Sequence, residues 1–152
     1  MSIQVAIADL ESKLGTETFV SDWLTITQER INQFADATGD WQWIHVDPEK
    51  AKHSPFGKTI AHGFLTLSLI PYLAGASSAS YEGVKMGINY GLNKVRFPHP
   101  VPVGSNVRAR VELQSFREVK GNGLHIVRKV TVELEGAPKP ACVAETVTRI
   151  YF

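Results

Sequence analysis

The sequence feature that most constrains the fold is a change in hydrophobic period about half-way along the chain. Residues 60–76, IAHGFLTLSLIPYLAGA, are the most apolar stretch and carry apolar side chains at helical spacing. The in-phase positions are Ile60, Phe64, Leu67 and Ile70. Beyond this stretch the period changes to two, which is typical of strands. A long buried helix wrapped by an antiparallel sheet hides both apolar faces, so we predict an α+β fold of that kind.

The predicted sheet occupies the second half of the chain. Between residues 106 and 116 apolar and polar side chains alternate, which predicts a strand with one wet face. The apolar positions are Val107, Ala109, Val111 and Leu113, and the polar ones are Arg108, Arg110, Glu112 and Gln114. The other predicted strands are residues 84–91, 93–104, 124–136 and 141–152. Gly121-Asn122-Gly123 predicts a hairpin turn, so we expect a long antiparallel meander.

The remaining segments predict short elements with clear ends. Residues 3–15 show helical spacing, and residues 17–27 indicate a strand. Thr27 can cap a helix that Gly39 ends. The predicted buried stripe of that helix is Ile31, Phe34, Ala35 and Thr38. Asp47 and Pro48 mark the start of a further helix, and Pro71 should kink or end the central one.

Asp40 and His45 lie on the short connection between two of these helices, beside Trp41 and Trp43. On spacing alone, two interpretations stay open. In one, Asp40 is a turn residue and His45 is a buried histidine bonded to a backbone carbonyl. In the other, the two groups work together in a dry pocket, where a carboxylate and an imidazole can move protons.

Composition and charge exclude several classes of function. With 152 residues, the chain suits one domain, residues 1–152, with a real core. The formal net charge of +1 gives no whole-molecule field for nucleic acid or an anionic membrane. We find no secretory signal and no apolar run of the ~20 residues that span a bilayer, so we predict a cytoplasmic location. The one cysteine, Cys142, excludes an internal disulfide and is interpreted as a packed strand residue.

Motif spacing argues against three kinds of chemistry. The residues that can be drawn as metal ligands are Asp40, His45, Asp47 and His53. Their spacing matches no zinc pattern, so we predict no metal site. The sequence has no Gly-x-Ser-x-Gly elbow for a nucleophilic serine, and no glycine-rich loop for a nucleotide cofactor.

Three segments in order resemble landmarks of the (R)-specific enoyl-CoA hydratases and MaoC-like dehydratases. Residues 34–51, FADATGDWQWIHVDPEKA, are similar to the signature of that family. The matching positions are Phe34, Gly39, Asp40, Ile44, His45 and Ala51. Residues 61–70 resemble the Ala-His-Gly that opens the family's central helix, and residues 93–104 resemble the strand before a Pro-Val and Gly turn. Gln42 and Trp43 stand where the broad family has Asn and Pro, and the stretch looks closest to the branch named for nodulation protein N.

The resemblance implies a hot-dog fold, in which the sheet wraps the central helix. It also implies a homodimer or higher homo-oligomer, with active sites near the subunit interface. The implied reaction is reversible hydration of a trans-2-enoyl thioester to an (R)-3-hydroxyacyl thioester. It needs no metal and no redox cofactor, and coenzyme A takes part only as a portion of the substrate. A hot-dog thioesterase and a non-catalytic acyl-binding module are the alternatives, and the acyl chain length and the thioester carrier stay open.

Hydration needs a base for water, an acid for the α-carbon and a partner for the developing enolate oxygen. On this interpretation, His45 holds the water and Asp40 orients it and shuttles protons, with the order of proton transfer left open. The Gly63 backbone N–H, near the start of the central helix, is expected to bind the oxygen. Trp41 and Trp43 are expected to exclude bulk water.

Further contacts with the substrate are predicted for Gln42, Trp43 and His62. A solvent-facing turn is an equally open interpretation of Gln42, and His62 is also interpreted as a packed residue at the helix start. The cations that could meet the phosphates of coenzyme A, or be solvated surface charge, are Lys58, Lys94 and Arg96. The histidines interpreted as surface or strand residues are His53, His99 and His125.

Overall fold

The computed structural model describes residues 3–75 and 81–152, and all strands in these ranges belong to one antiparallel sheet. The strands are β1 (Glu17–Val20), β2 (Leu24–Thr25), β3 (Met86–Arg96), β4 (Asn106–Val119), β5 (Gly123–Leu134) and β6 (Cys142–Tyr151). The helices are α1 (Ile3–Lys13), α2 (Gln28–Thr38), α3 (Trp43–Val46), α4 (Pro48–Ala51), α5 (Gly63–Ser68) and α6 (Ile70–Leu73). The strand order is β1-β4-β5-β6-β3, and β2 also pairs with β4.

Strand β4 confirms the predicted alternation of apolar and polar side chains. Its inward-facing residues, each at most 1% exposed, are Val107, Ala109, Val111 and Leu113. On the outer face, the Arg110 guanidinium contacts Glu133 at 2.6 Å and Glu17 at 3.0 Å. The period of two therefore separates an apolar inner face, which receives the helices, from an ion-paired outer face.

The predicted long helix over residues 60–76 is wrong in its length. Its described part forms two short helices, α5 and α6, with an interruption at Leu69. Pro71 lies in the first turn of α6, where its missing N–H costs no helical hydrogen bond, so the predicted break is confirmed. The predicted end of the helix at Ala76 lies outside the described residues.

Of the four positions predicted to be buried, Ile60 and Ile70 are buried and Leu67 packs partly buried against the core, so only Phe64 is wrong. Phe64, expected on the buried face, is 68% exposed. The side chains that pack against the sheet are Leu65, Leu69, Ile70 and Leu73. Ile60 itself lies outside the helix and pairs with Pro102 in an isolated bridge. A stripe counted from Ile60 therefore starts one element too early.

The predicted meander holds only for β4, β5 and β6. The turn between β4 and β5 is confirmed, with positive φ angles of 83° at Gly121 and 56° at Asn122. By contrast, β3 pairs with β6 and forms the far edge of the sheet, so the chain crosses the sheet between β3 and β4. The strand predicted over residues 93–104 ends at Arg96, since alternate prolines follow that cannot donate to a ladder.

Two apolar clusters cover the inner face of the sheet. The larger lies under α5 and α6, and the smaller lies under α1, which confirms the predicted amino-terminal helix. The strand predicted over residues 17–27 is divided into β1 and β2, which both pair with β4. None of the helices in the described ranges is long and apolar enough to cross a membrane.

Candidate active site

The loop that carries Asp40 begins at the end of α2. Thr27 caps this helix by accepting a hydrogen bond from the Arg30 N–H, and Gly39 ends it with a φ of 78°, as predicted. A residue with a Cβ is strained at that φ, so glycine lets the chain turn sharply into Asp40. Thr38 is exposed, so its predicted place on the buried stripe is wrong. Its hydroxyl instead donates to the Phe34 carbonyl at 2.7 Å.

His45 is buried by a one-turn helix that the sequence pattern does not reveal. Helix α3 leaves the imidazole of His45 facing inward, with the residue only 7% exposed. Asp47 then caps α4 by accepting a hydrogen bond from the Lys50 N–H at 3.0 Å, and Pro48 lies in its first turn, as predicted. Four residues are too few to show a hydrophobic period, so only the start of α4 could be predicted.

Hydrogen bonds fix both the position and the tautomer of His45. Its Nδ1 lies 2.7 Å from the Ile60 carbonyl oxygen, which can only accept, so Nδ1 carries the proton. The Gln28 side-chain amide donates to the His45 carbonyl at 2.8 Å, and the Thr59 hydroxyl donates to Gln28 at 2.5 Å. The neutral imidazole therefore presents the lone pair of Nε2, for which no hydrogen bond is found among residues 3–75 and 81–152.

The surroundings of His45 favour this neutral form. Burial is the largest influence and lowers the pKa of His45 below 6.5, while the bond to the Ile60 carbonyl opposes the shift. Neighbouring His62 lowers the pKa further, and the Asp40 carboxylate raises it. At neutral pH the ring is consequently a proton acceptor rather than an imidazolium.

The structure brings Asp40 close to His45 without a direct hydrogen bond between their side chains. One carboxylate oxygen of Asp40 and one ring nitrogen each of His45 and His62 all lie within 4.8 Å of one another. Asp40 is exposed, and its carboxylate accepts a hydrogen bond from the Gln42 N–H at 3.3 Å. Because two hydrogen bonds of about 2.8 Å can be made by one water, a separation of this size suits a bridging water.

His62 is packed behind the pair. It is 2% exposed, and its ring stacks on that of His45 with centroids 3.9 Å apart. Its Nε2–H donates to the Asp40 backbone carbonyl at 2.9 Å. Its Nδ1 is buried and has no hydrogen-bond partner within the described ranges. This position agrees with a packed residue at the helix start, and its contact with a substrate stays a prediction.

The part of the chain that the structure describes contains one group of potential metal ligands, which consists of Asp40, His45 and His62. The planes of the two imidazole rings are only 23° apart. Nδ1 of His45 and Nε2 of His62 are each already bonded to a backbone carbonyl, at Ile60 and Asp40. The ligand set drawn from the sequence is also not assembled, since Asp47 caps α4 and His53 lies exposed beyond it.

Gly63 opens α5 and directly follows His62, whose ring stacks on that of His45. The hydrogen bonds of α5 begin with the Leu65 N–H donating to the His62 carbonyl at 3.0 Å, so the Gly63 N–H has no role in the helix itself. A Cβ on Gly63 would lie 3.2 Å from the Phe97 ring. The absent side chain thus keeps a narrow approach to the amide open.

The two tryptophans do not seal the site as predicted. Trp41 is 59% exposed, and its Nε1–H donates to Asp36 at 2.9 Å. Trp43 is half-buried, with the Lys50 ammonium 5.4 Å from its ring centroid. Gln42 is exposed and makes no side-chain hydrogen bond as the residue before α3. The prediction that Trp41 excludes bulk water is therefore wrong for the single chain, in which Asp40 is exposed to solvent.

The other residues singled out in the sequence include one buried cysteine and three exposed cations. Cys142 is fully buried, and burial raises the pKa of its thiol to about 11, which confirms a packed strand residue. The cations Lys58, Lys94 and Arg96 are all exposed. Gln28 and Thr59, which hold His45, were missed, because their contact joins residues that are far apart in sequence.

The fold and the site together define a hot-dog domain of the hydratase and dehydratase type. The family model described as "MaoC like domain" matches residues 9–135. The chain therefore belongs to the MaoC-like dehydratase family.

Two relatives cover nearly the whole chain. The 3-hydroxyacyl-thioester dehydratase Z of Mycobacterium tuberculosis (strain ATCC 25618 / H37Rv) is 56% identical over 144 residues, which are 95% of this chain and 95% of the relative. Nodulation protein N of Rhizobium leguminosarum bv. viciae is 45% identical over 150 residues, which are 98% of this chain and 93% of the relative. The predicted likeness to the nodulation protein N branch is thereby confirmed.

Solved structures share the same fold. The monoamine oxidase regulatory protein of Archaeoglobus fulgius superposes with a TM-score of 0.77 at 27% identity, over 93% of this chain and 92% of that one. The (R)-hydratase of A. caviae involved in PHA biosynthesis superposes with a TM-score of 0.67 at 27% identity, over 86% of this chain and 96% of that one. These matches confirm the predicted hot-dog fold.

Proposed function

We propose that this protein catalyses the reversible (R)-specific hydration of trans-2-enoyl-CoA to (R)-3-hydroxyacyl-CoA, without a metal or redox cofactor. The observation that carries the proposal is the close approach of the Asp40 carboxylate and the His45 imidazole, with Gly63 next in the chain to the adjacent His62. Two relatives support the same reaction class, since one is named a 3-hydroxyacyl-thioester dehydratase and the other an (R)-hydratase.

In this mechanism one water lies between Asp40 and His45. The carboxylate of Asp40 accepts a hydrogen bond from the water, and Nε2 of His45 takes one of its protons. The water oxygen bonds to the β-carbon, the double bond opens, and its electrons move to the thioester oxygen. The proton on His45 is then returned to the α-carbon, which restores the thioester carbonyl and the neutral imidazole.

The Gly63 N–H supplies the third requirement. During the reaction, negative charge develops on the thioester oxygen, and a preorganised amide donor stabilises it more than it stabilises the neutral carbonyl. Since Gly63 opens α5, its N–H needs no helical partner and points out of the first turn. The missing side chain lets the thioester approach past Phe97.

The test is an assay with crotonyl-CoA. Purified protein should remove the enoyl absorbance and form (R)-3-hydroxybutyryl-CoA, with no release of free thiol. Free coenzyme A without the hydroxyacyl product would instead indicate a thioesterase. Tight binding of acyl-CoA with no turnover at any chain length would indicate a non-catalytic acyl-binding module.

The lowered pKa of His45 predicts how kcat/KM changes at acidic pH. Because burial lowers the pKa of His45 below 6.5, its Nε2 lone pair should survive at pH 6.5, and kcat/KM should fall only at lower pH. The free energy of unfolding should also fall at acidic pH. Between the lowered pKa of folded His45 and 6.5, the unfolded chain binds more protons than the folded chain does. The stability that His45 contributes above pH 6.5 is therefore lost as the pH falls through this window. The check is to titrate the His45 ring protons by NMR beside the rate profile; a midpoint above 6.5 would contradict the assignment.

We also propose that the protein acts as a homodimer joined along β3. This strand forms the sheet edge beyond β6 and exposes a row of large apolar side chains. The row consists of Met86, Ile88, Tyr90 and Leu92, with 50%, 40%, 55% and 46% exposure. A long apolar edge strand tends to pair with another chain, and antiparallel pairing with its own copy is two-fold symmetric.

Positive charges introduced along the β3 edge should dissociate the proposed dimer. In the double variant Ile88→Lys with Tyr90→Lys, the like charges of two copies would meet across the edge, so light scattering should show a monomer instead of a dimer. Val20→Lys is the matched control, because Val20 lies on the opposite edge strand and is 37% exposed. If the wild type itself is a monomer, pairing along β3 is wrong.

A further inference from the structure

His62 joins the two members of the proposed reacting pair. Its Nε2–H donates to the backbone carbonyl of Asp40 at 2.9 Å, and its ring stacks on that of His45 with centroids 3.9 Å apart. Asp40 and His62 are 22 positions apart in the chain, so this hydrogen bond ties the start of α5 to the loop after α2. The proposed mechanism gives His62 no part in proton transfer, so its contacts with both groups need their own explanation.

Packing alone does not account for a histidine at this position. The residue is 2% exposed, and its ring also contacts that of Phe34, with centroids 4.9 Å apart. Since Nε2 carries the proton, Nδ1 is a bare acceptor, and it is buried with no protein partner within residues 3–75 and 81–152. A buried acceptor without a partner destabilises the folded state, and a phenylalanine ring would avoid that cost. What histidine adds here is the N–H that the Asp40 carbonyl accepts.

The two members of the pair are held unequally. His45 is fixed by hydrogen bonds at both its ring and its backbone. Asp40 is exposed, and its carboxylate accepts a hydrogen bond from the Gln42 N–H of the same loop at 3.3 Å. Within the described ranges, the bond from His62 is the only hydrogen bond that the main chain of Asp40 makes. The position of the carboxylate relative to His45 therefore depends on His62.

We propose that His62 is a positioning residue, which sets the separation of Asp40 and His45 through its hydrogen bond to the Asp40 carbonyl. A displacement of about 1 Å in a reacting group can lower the rate on the order of 10²-fold, so a rigid tie matters in an exposed loop. One planar imidazole contacts both partners, so the tie is referenced to the His45 ring itself. The inference rests on the proposed function, since it takes Asp40 and His45 to act on the same water.

Two variants separate the N–H of His62 from its ring. His62→Phe keeps an aromatic ring that can stack on His45 but removes the N–H, so kcat for crotonyl-CoA should fall about 10–100-fold, with KM constant within about twofold. His62→Gln loses the ring but keeps a side-chain N–H, and its kcat should be at least about fivefold above that of His62→Phe. Equal kcat values in the two variants would overturn the inference. A raised KM with an unchanged kcat would overturn it too, because His62 would then be a substrate contact.

Combination with Asp40→Asn tests whether His62 acts through Asp40. Once the carboxylate is removed, its position no longer matters, so the addition of His62→Phe should lower kcat by less than about threefold more. If the two losses multiply in full, His62 contributes independently of Asp40 and the inference is wrong. His53→Phe is the matched control, because it makes the same substitution at an exposed histidine beyond α4 and should leave kcat unchanged.

Nuclear magnetic resonance of the imidazole and of the Asp40 backbone does not depend on turnover. In the wild type, the ring nitrogen shifts should show His62 with its proton on Nε2 and a bare Nδ1, as the bond to Asp40 requires. The opposite tautomer would overturn the inference even if no His62 variant folds. The order parameter of the Asp40 N–H should be near the rigid value of about 0.85, fall towards about 0.6 in His62→Phe and recover in His62→Gln. An unchanged order parameter in folded His62→Phe would overturn the tie.

The two kinds of readout separate this inference from the proposed function. Hydration of crotonyl-CoA by the wild type, with the same kcat in His62→Phe, overturns the inference and leaves the hydratase standing. Loosening of Asp40 in His62→Phe and its recovery in His62→Gln, with no enoyl-CoA hydrated by the wild type, supports the tie and overturns the hydratase.

Discussion

Asp40→Asn is expected to lower kcat/KM for crotonyl-CoA by about 10²–10⁴-fold, the usual contribution of a positioned acid or base. Asparagine keeps an oxygen that can accept the Gln42 N–H, so the loop should hold its shape, but it loses the charge that orients the water. Since Asp40 is exposed, the free energy of unfolding should change by no more than about 0.5 kcal/mol. The measurements are the loss of enoyl absorbance and the unfolding midpoint.

A companion variant, His45→Asn, tests the other half of the pair. Its amide can replace the N–H that Nδ1 donates to the Ile60 carbonyl, but it has no counterpart of the Nε2 lone pair. Its loss of activity should be as large as that of Asp40→Asn, and the double variant should lose little more, because the two residues act on the same water. If Asp40→Asn hydrates crotonyl-CoA as the wild type does, the assigned roles are wrong.

Gly63→Pro is expected to reduce kcat by about 10²–10³-fold, the usual cost of removing one oxyanion donor. Proline deletes the proposed donor itself, the backbone N–H, at a helix start where proline is well tolerated. The preceding residue also suits it, since His62 has a ψ of 137° in the region that residues before proline adopt. The readouts are kcat for crotonyl-CoA and the helical circular dichroism signal.

Gly63→Ala is the matched control for this experiment. It introduces the same Cβ, 3.2 Å from the Phe97 ring, but keeps the N–H. Phe97 is 38% exposed and can move by the few tenths of an ångström required, so the alanine variant should keep most of its kcat. Equal losses in both variants would mean that steric contact with Phe97, and not the amide, limits the reaction.

The elements that could be predicted from the sequence depend on contacts between residues close in the chain. In β4 apolar and polar side chains alternate over many positions, and only one face meets water. A register shift of one residue would turn the apolar face to the water, so the pattern fixes the orientation of the strand. The ends of α2 were equally clear, because Thr27 and Gly39 act on the helix that lies next to them. Local chemistry of this kind needs no knowledge of the partner strand.

The errors occurred where distant residues decide the structure. Pairing of β3 with β6 is a choice between partners that no local pattern contains. Ile60, counted in the sequence as the first position of the central helix, lies outside α5 and pairs with Pro102, which is far away in the chain. For the site, spacing alone left Asp40 and His45 ambiguous. Their resemblance to a family signature selected the paired interpretation, and the support of His45 by Gln28 became visible only in three dimensions.

The most direct measurement is a crystal structure of the Asp40→Asn variant with crotonyl-CoA bound. We predict the thioester oxygen within about 3.2 Å of the Gly63 nitrogen, and the β-carbon next to a water held between residue 40 and Nε2 of His45. A thioester oxygen bound away from the Gly63 nitrogen, or a β-carbon with protein packed between it and His45, would contradict the proposed reaction.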